Sequence, residues 1–491
     1  MEADKNALLS RVERLSTLTL PHICIPLGMP HETTAITNDY SSIGAQLAGH
    51  ITNKLALTLF RPGVPFFRLN PDKEGKKALE EQGLTAAALV DPLATAELEA
   101  CKELDNAAIR PKLNLILEHL VVAGNVLMCL EDDFIRAMGL RYYCVKRNYR
   151  GEVVRIVIKE EMCKDELEDE IQDYVPGASQ ETKVCWYKLI EKKKNRMVMT
   201  QWVGDVLLPE KYEGNWSVDE CPYKVCTWVL PDESNYGIGL CQFYWSDLEV
   251  VSSMSESVVN GGILGTEMRW GVDPTSQSRA EDLNKSKNGD FVACRKDDIN
   301  PIYGGNDKAI ATADGILQRV ERRLSQGFLM QSTVTRNAER VTAEEVRMQA
   351  LELETTYGGV YTGIAKDVQG PVADWCMRRA GINLKRTGLQ ATVITGLDAL
   401  TRNAELEALR AAFSDLGLTI NLPEPMQRRI KWKALGDFVG AGRGVKLSPF
   451  IMDDNEFAAV QQQEQQARVA EQSAVAGGQA AANSTVEQGA Q

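Results

Sequence analysis

The sequence predicts an α+β protein, mainly helical, on three observations. Apolar residues recur at helical spacing through the first ~130 residues and again from about 240 to 368. Between about 141 and 230 the period drops to two. Two helical runs of about 22 residues, each roughly 33 Å long at 1.5 Å per residue, then bracket a short polar stretch. The chain has 491 residues, 44% hydrophobic and 25% charged, which is a globular composition. At about 150 residues per domain it forms roughly three structural units.

Each element has its own signal. Asp39-Tyr40-Ser41-Ser42 offers cap chemistry, and Ile43, Leu47, Ile51, Leu55 and Leu59 continue a helix until Arg61-Pro62-Gly63. Residues 92–107 read as a surface helix, and 113–130 as a more apolar helical segment that belongs in the core. Val153-Val-Arg-Ile-Val-Ile158, Lys183-Val-Cys-Trp-Tyr-Lys-Leu-Ile190 and Met197-Val-Met-Thr-Gln-Trp202 read as strands of an antiparallel unit, with the acidic run 159–173 as a solvated helix or loop face between them. The first long rod carries Leu240, Tyr244, Leu248, Val251, Met254 and Val258 and is expected to end at Gly261-Gly262. After a polar module the second rod carries Ile310, Ala313, Leu317, Val320, Leu324 and Phe328. Thr342-Ala-Glu-Glu345 matches a capping box and opens a third helix that Gly370-Pro371 should bend or break. Residues 389–394 read as a strand, 404–413 as a helix, and 461–491, almost all Gln, Ala, Glu, Gly and Ser, as a disordered tail.

The chemistry-bearing motifs are sparse. There is no Gly-x4-Gly-Lys-[Ser/Thr] loop, and Gly440-Ala-Gly-Arg-Gly444 follows no βαβ pattern and reads as a flexible loop. The four histidines at 22, 31, 50 and 119 accompany no nucleophile. Eleven scattered cysteines read as reduced, core-filling thiols of a cytosolic protein, and Cys221-Pro-Tyr-Lys-Val-Cys226 lacks a second pair at zinc spacing. Acidic runs such as Glu131-Asp132-Asp133 and Asp297-Asp298 read as solvated. The expectation is a non-enzyme with no cofactor and no metal. No stretch approaches the ~18 consecutive apolar residues of a membrane span, so the chain reads as soluble and unexported. A net charge of -13 argues against a protein that grips nucleic acid by counterion release.

Arrangement is more informative. Arg319, Arg322 and Arg323 decorate the second rod, and Arg336 and Arg340 fall in the polar segment joining it to the third helix. Lys285, Lys287, Arg295 and Lys296 lie in the polar module. In a monomer these are ordinary surface charges. Repeated by symmetry around a ring, each becomes a circle of positive charge in an otherwise acidic assembly, able to touch phosphates without trapping them.

Several stretches, in order over roughly 35–400, carry a family resemblance. They include 39–59 with Phe66-Phe67-Arg68-Leu69, Leu120-Val-Val-Ala-Gly-Asn-Val-Leu127, Ser234-Asn-Tyr-Gly237, Asn288-Gly-Asp-Phe-Val292, Arg340-Val-Thr-Ala-Glu-Glu-Val-Arg347, Gly358-Gly-Val-Tyr361 and Thr395-Gly-Leu-Asp-Ala-Leu400. The chain resembles the portal proteins, or head-to-tail connectors, of short-tailed double-stranded DNA phages. The resemblance implies a ring, typically of twelve copies, at one capsid vertex. It implies a wing over 1–237 (β-rich over 141–230), a stem of helices at 238–262 and 306–330, and a clip at 263–305. A tunnel loop at 331–341, a long wing helix at 342–380, and a further wing strand and helical crown at 381–460 follow, before the tail at 461–491. Arg336 and Arg340 then belong to the tunnel loop, Arg319, Arg322 and Arg323 to the stem channel, and Lys285, Lys287, Arg295 and Lys296 to a clip that docks partners. The partners implied are double-stranded DNA in transit, a terminase, capsid and scaffolding proteins, and tail or adaptor proteins, in a virion assembled from protein made in the host cytoplasm. Two other readings stand beside it: a scaffold or adaptor without a channel, and a nucleic-acid enzyme such as a nuclease.

Overall fold

The computed structural model describes residues 2–25, 39–61, 65–71, 90–167, 169–175, 183–266, 268–275, 279–303, 307–330, 343–382 and 389–393, with Ser414 and Leu435. The chain divides into two units, Met1–Gly396 and Leu397–Gln491. Beyond Ser414 and Leu435 the described residues lie in the first. The expected helix at 404–413 and the tail at 461–491 fall outside them.

The core forms around α1 (Glu2–Leu18), α2 (Ile43–Leu59), α3 (Val90–Asn106) and α4 (Arg110–Ala123). In α4, Leu113, Ile116, Leu117, Leu120, Val121, Val122 and Ala123 are all buried, which covers nearly every face and makes it the central helix. It packs on α1 and α2. In α2, Leu47, Ile51, Leu55 and Leu59 form the buried stripe read from the sequence.

The apolar segment 113–130 is not one helix. It breaks at Gly124, which takes φ +71 and donates its N–H to the Leu120 carbonyl, and continues as strand β2 (Asn125–Leu130). The reason is tertiary: a Cβ on Gly124 would lie 2.2 Å from the Gly239 nitrogen, so another stretch of backbone crosses there. Asn125 ties the crossing together. Its amide nitrogen donates to the carbonyls of Ala123 (3.0 Å) and Gly237 (2.8 Å), and its Oδ1 accepts the Gly237 N–H at 2.6 Å. β2 is buried along its whole length because it is the middle strand of a three-stranded antiparallel sheet, between β3 (Ile135–Met138) and β10 (Tyr223–Thr227).

Between these lies the larger antiparallel sheet: β4 (Tyr143–Arg147), β5 (Val153–Cys163), β6 (Lys183–Lys193), β7 (Arg196–Val203) and β8 (Val206–Leu207), with β9 (Gly214–Ser217) also on β7. β7 alternates, Met197, Met199, Gln201 and Val203 facing inward. The acidic run is only partly a solvated face. Residues 159–163 extend β5, and the alternation turns Glu160 inward, where Arg136 and Lys188 (3.4 Å) neutralise it. The rest of the run includes the short helix α5 (Asp169–Gln172), whose Ile171 packs with Leu167, Val184, Val203 and Leu208 in a separate small core.

After the crossing come α6 (Leu240–Phe243) and the long α7 (Trp245–Thr266). α7 runs straight through Gly261-Gly262 instead of ending there. A Cβ at Gly261 would lie 3.0 Å from Ile310, so this glycine lets the partner rod α9 (Asp307–Gly327) come close. Between the rods sits a small module: β11 (Met268–Val272) pairs antiparallel with β12 (Ile299–Tyr303), and α8 (Ala280–Lys285) lies between them in sequence.

The third helix, α10 (Ala343–Tyr357), gives way at Gly358, which adopts φ +49, to α11 (Gly359–Ile364). Thr342 of the expected capping box lies outside the described residues. Gly370-Pro371 does not break the run. A π-helical stretch, Ala365–Gln369, widens the turn, and Pro371 then sits in the first turn of α12 (Gly370–Arg379), where a missing N–H costs no helical bond. Last, β13 (Leu389–Val393) pairs antiparallel with β1 (Phe67–Pro71), close to the expected strand at 389–394.

Candidate functional site

The two rods form an antiparallel pair, and named contacts along it set the register. Tyr244 tilts against Phe328 with ring centroids 5.1 Å apart, Arg323 donates to both carboxylate oxygens of Asp247 through Nε and Nη2, and Ile310 meets Gly261. Leu248 and Val251 of α7, Val320 and Leu324 of α9, and Phe328 just after it are buried where the pair roots in the core. Farther out, the apolar residues of α7 emerge into solvent: Val259, Ile263 and Leu264 are all exposed.

The charges divide unevenly. α7 carries Asp247, Glu249 and Glu256 and no basic residue. Two of these acids are tied inward. Asp247 pairs with Arg323, and Glu249 takes a two-point bond from Arg14 (2.8 and 2.9 Å), which also holds Asp39 at 2.6 Å. The Arg14 guanidinium is held well above its ordinary pKa, by the Glu249 bond first. Glu256 bonds the exposed Tyr40 hydroxyl and raises its pKa.

On α9, Lys308, Thr312, Gly315, Arg319, Arg322 and Gln326 recur at alternating steps of four and three, so they share one face, and no acidic residue interrupts it. That face lies away from the buried stripe. Arg319 donates Nε to the Gly315 carbonyl at 3.0 Å, while Arg322 makes no hydrogen bond or ion pair among the described residues. The three arginines singled out from sequence therefore differ. Arg323 serves the contact between rods, and Arg319 and Arg322 face outward with Lys308. Sequence reading passed over Lys308, although its distance of eleven residues from Arg319, about three helical turns, was a usable signal.

Lys285 closes α8, and Lys287, Arg295 and Lys285 are exposed; Lys296 opens a 3-10 turn over Lys296–Asp298. The apolar residues Trp270 and Phe291 are also exposed in the module; Phe291 lies in the quoted stretch Asn288–Val292, and neither was read from sequence as a site residue. Arg336 and Arg340 lie outside the described residues, between Met330 and the start of α10. Elsewhere, no group of three or more His, Cys, Asp or Glu suited to a metal ion occurs among the described residues. His119 is buried, and Cys226 is buried with its thiol on the Asp367 carbonyl at 3.3 Å. No described helix is long and apolar enough to cross a membrane.

The described residues thus form a helical and β-sheet body that carries an antiparallel helix pair with a small module between the two rods. The chain belongs to the family of bacteriophage head to tail connecting proteins, whose model matches residues 1–388. It is similar to the portal protein of Enterobacteria phage SP6, 28% identical over 477 residues, covering 94% of this chain and 90% of the relative. It is likewise 28% identical to the portal protein of Pseudomonas phage phiKMV, covering 94% of this chain and 92% of the relative. To the portal protein of Escherichia phage T7 it is 26% identical over 426 residues, covering 83% and 79%. Among solved structures, the neck of an empty GTA particle computed with C6 symmetry shares 12% identity at a TM-score of 0.37, covering 81% of this chain and 90% of that one, a likeness too slight to carry an argument.

Proposed function

We propose that this chain is the portal protein of a short-tailed double-stranded DNA phage. In this reading it forms a ring of about twelve copies at one capsid vertex, through which the genome enters and leaves. The observation that carries the reading is the family match across residues 1–388. The outcropping apolar residues of α7 add support, because Val259, Ile263 and Leu264 on a single chain leave a face that a neighbour would cover. The rods serve as the stem, the β11–β12 module as the clip, and 331–341 as the tunnel loop.

The role is structural. DNA carries about one negative charge per 1.7 Å of axis, so a strongly basic bore would hold it and a largely acidic one lets it slide. A chain of net charge -13 supplies the acidic background. The outward stripe of Lys308, Arg319 and Arg322, with Arg336 and Arg340 in the loop, supplies sparse contacts. Energy for packaging comes from a separate terminase that docks at the clip around Lys285, Lys287, Arg295 and Lys296. Tail or adaptor proteins take the same end afterward, and capsid and scaffolding proteins surround the wing. A scaffold or adaptor without a channel accounts less well for the order of rod, module, rod, loop and helix.

Negative-stain microscopy of the purified protein tests the reading. Channelled rings are expected, and a compact monomer at micromolar concentration would overturn it.

A further inference from the structure

The module at the tip of the rods carries two apolar features that do not satisfy each other within one chain. Phe291 is 105% exposed, so its whole ring stands in water. It is held there by design of the local backbone. The Asp290 N–H donates to the Lys287 carbonyl at 3.0 Å, the Asp290 carboxylate accepts the Lys287 N–H at 2.6 Å, and Gly289 turns the chain with φ +101. The second feature is an open cleft of about 650 Å³ between sheet and helix, lined by Trp270, Val272, Ala280, Leu283, Asn284 and Ile299. Trp270 on its wall is 59% exposed. Only Asn284 in that lining is polar.

We propose that Phe291 of one subunit inserts into the Trp270–Leu283–Ile299 cleft of the next copy, locking neighbouring clips together. The inference rests on the ring reading above. A knob and a hole on different parts of one surface make a head-to-tail contact, and such a contact closes into a ring when the rotation per subunit allows. Net charge agrees with the docking. The knob segment 287–295 carries Lys287 and Arg295 against Asp290, two positive less one negative for a net +1, whereas α8 at the cleft carries Glu281 and Asp282 against Lys285, two negative less one positive for a net -1. In sequence the module follows directly on α7, whose Val259, Ile263 and Leu264 are also exposed. A buried aromatic anchor in a cleft is the usual form of an interface hot spot. The cleft has room for the phenyl ring and the adjoining Val292.

Cross-linking tests the contact directly. In a Cys294→Ser background, which removes the exposed thiol nearby, Phe291→Cys is combined with Leu283→Cys and the assembled protein is oxidised. Neighbouring chains should link into a ladder of multimers on a non-reducing gel, ending at the full ring. In parallel, Phe291→Ala should raise the protein concentration needed for half-assembly at least tenfold, and Phe291→Leu should restore most of the loss. Wild-type rings seen by microscopy, together with a disulfide confined within single chains or no linkage at all, would overturn the proposal. Unchanged ring assembly by Phe291→Ala would do the same, and would assign the knob to some other partner. If the wild-type protein forms no rings, the portal reading itself fails, which is a separate outcome.

Discussion

Asn125 is where the body of the molecule holds the root of the rods, and replacing it by leucine of similar size tests that role. The substitution removes three hydrogen bonds of 2.6 to 3.0 Å and leaves the buried Gly237 N–H and two carbonyls without this partner. An unpaired buried donor costs about 1–3 kcal/mol and each weakened carbonyl about 1 kcal/mol, so the total is on the order of 4 kcal/mol. At about 2.1 cal/mol/K of unfolding entropy per residue, the 396 residues of the first unit correspond to roughly 0.8 kcal/mol/K. The expected fall in Tm is therefore about 5 °C. Thermal unfolding followed by tryptophan fluorescence, at one fixed protein concentration because assembly also stabilises, measures it. Asn125→Asp should be at least as harmful, since it sets a carboxylate oxygen against the Ala123 and Gly237 carbonyls. A leucine variant within 1 °C of the wild type would refute the argument that these bonds clamp the crossing.

Other expectations follow from particular groups. His119 is buried in α4 with Nδ1 unpaired, and burial first, then the charge of His22, pushes its pKa from 6.5 down to about 4. Stability from keeping it neutral is present above pH 6.5 and is lost as pH falls toward about 4, on the order of 3 kcal/mol in all, so His119→Gln should flatten the decline of Tm across that window. An identical pH profile would show that other groups drive acid unfolding. Arg323→Ala breaks a bidentate pair in which the arginine is exposed and Asp247 half-buried, so a cost of about 1 kcal/mol and intact rings are expected; a Tm drop of several degrees would show the pair fixes the rods. Arg336→Ala combined with Arg340→Ala should leave ring assembly unchanged while filled heads lose DNA faster. Unaltered packaging and retention would remove the tunnel loop from the mechanism.

What the amino-acid sequence determined by itself was the set of elements whose signal is local. The stripe Ile43, Leu47, Ile51, Leu55 and Leu59 reads as a helix because its spacing matches the helical period, whatever it packs against. The same holds for the period-two runs in β5, β6 and β7, and for two rods of 22 and 21 residues around a polar module. The places where local reading failed were decided by long-range contacts. Gly261-Gly262 looks like a helix end, yet its missing side chain makes room for Ile310, some fifty residues away. The uniformly apolar 113–130 looks like one buried helix, and only the crossing of residues 237–239 over Gly124 divides it into helix and strand. Glu160 looks solvated in an acidic run and is instead buried beside Arg136 and Lys188. The site followed the same rule. Clustered arginines, and the spacing that sets Lys308 on one face with Arg319 and Arg322, were visible in sequence, but which arginine is consumed by Asp247 depended on how the two rods dock. A residue's charge and periodicity are properties of the chain; its exposure and its partner exist only once the other elements are in place.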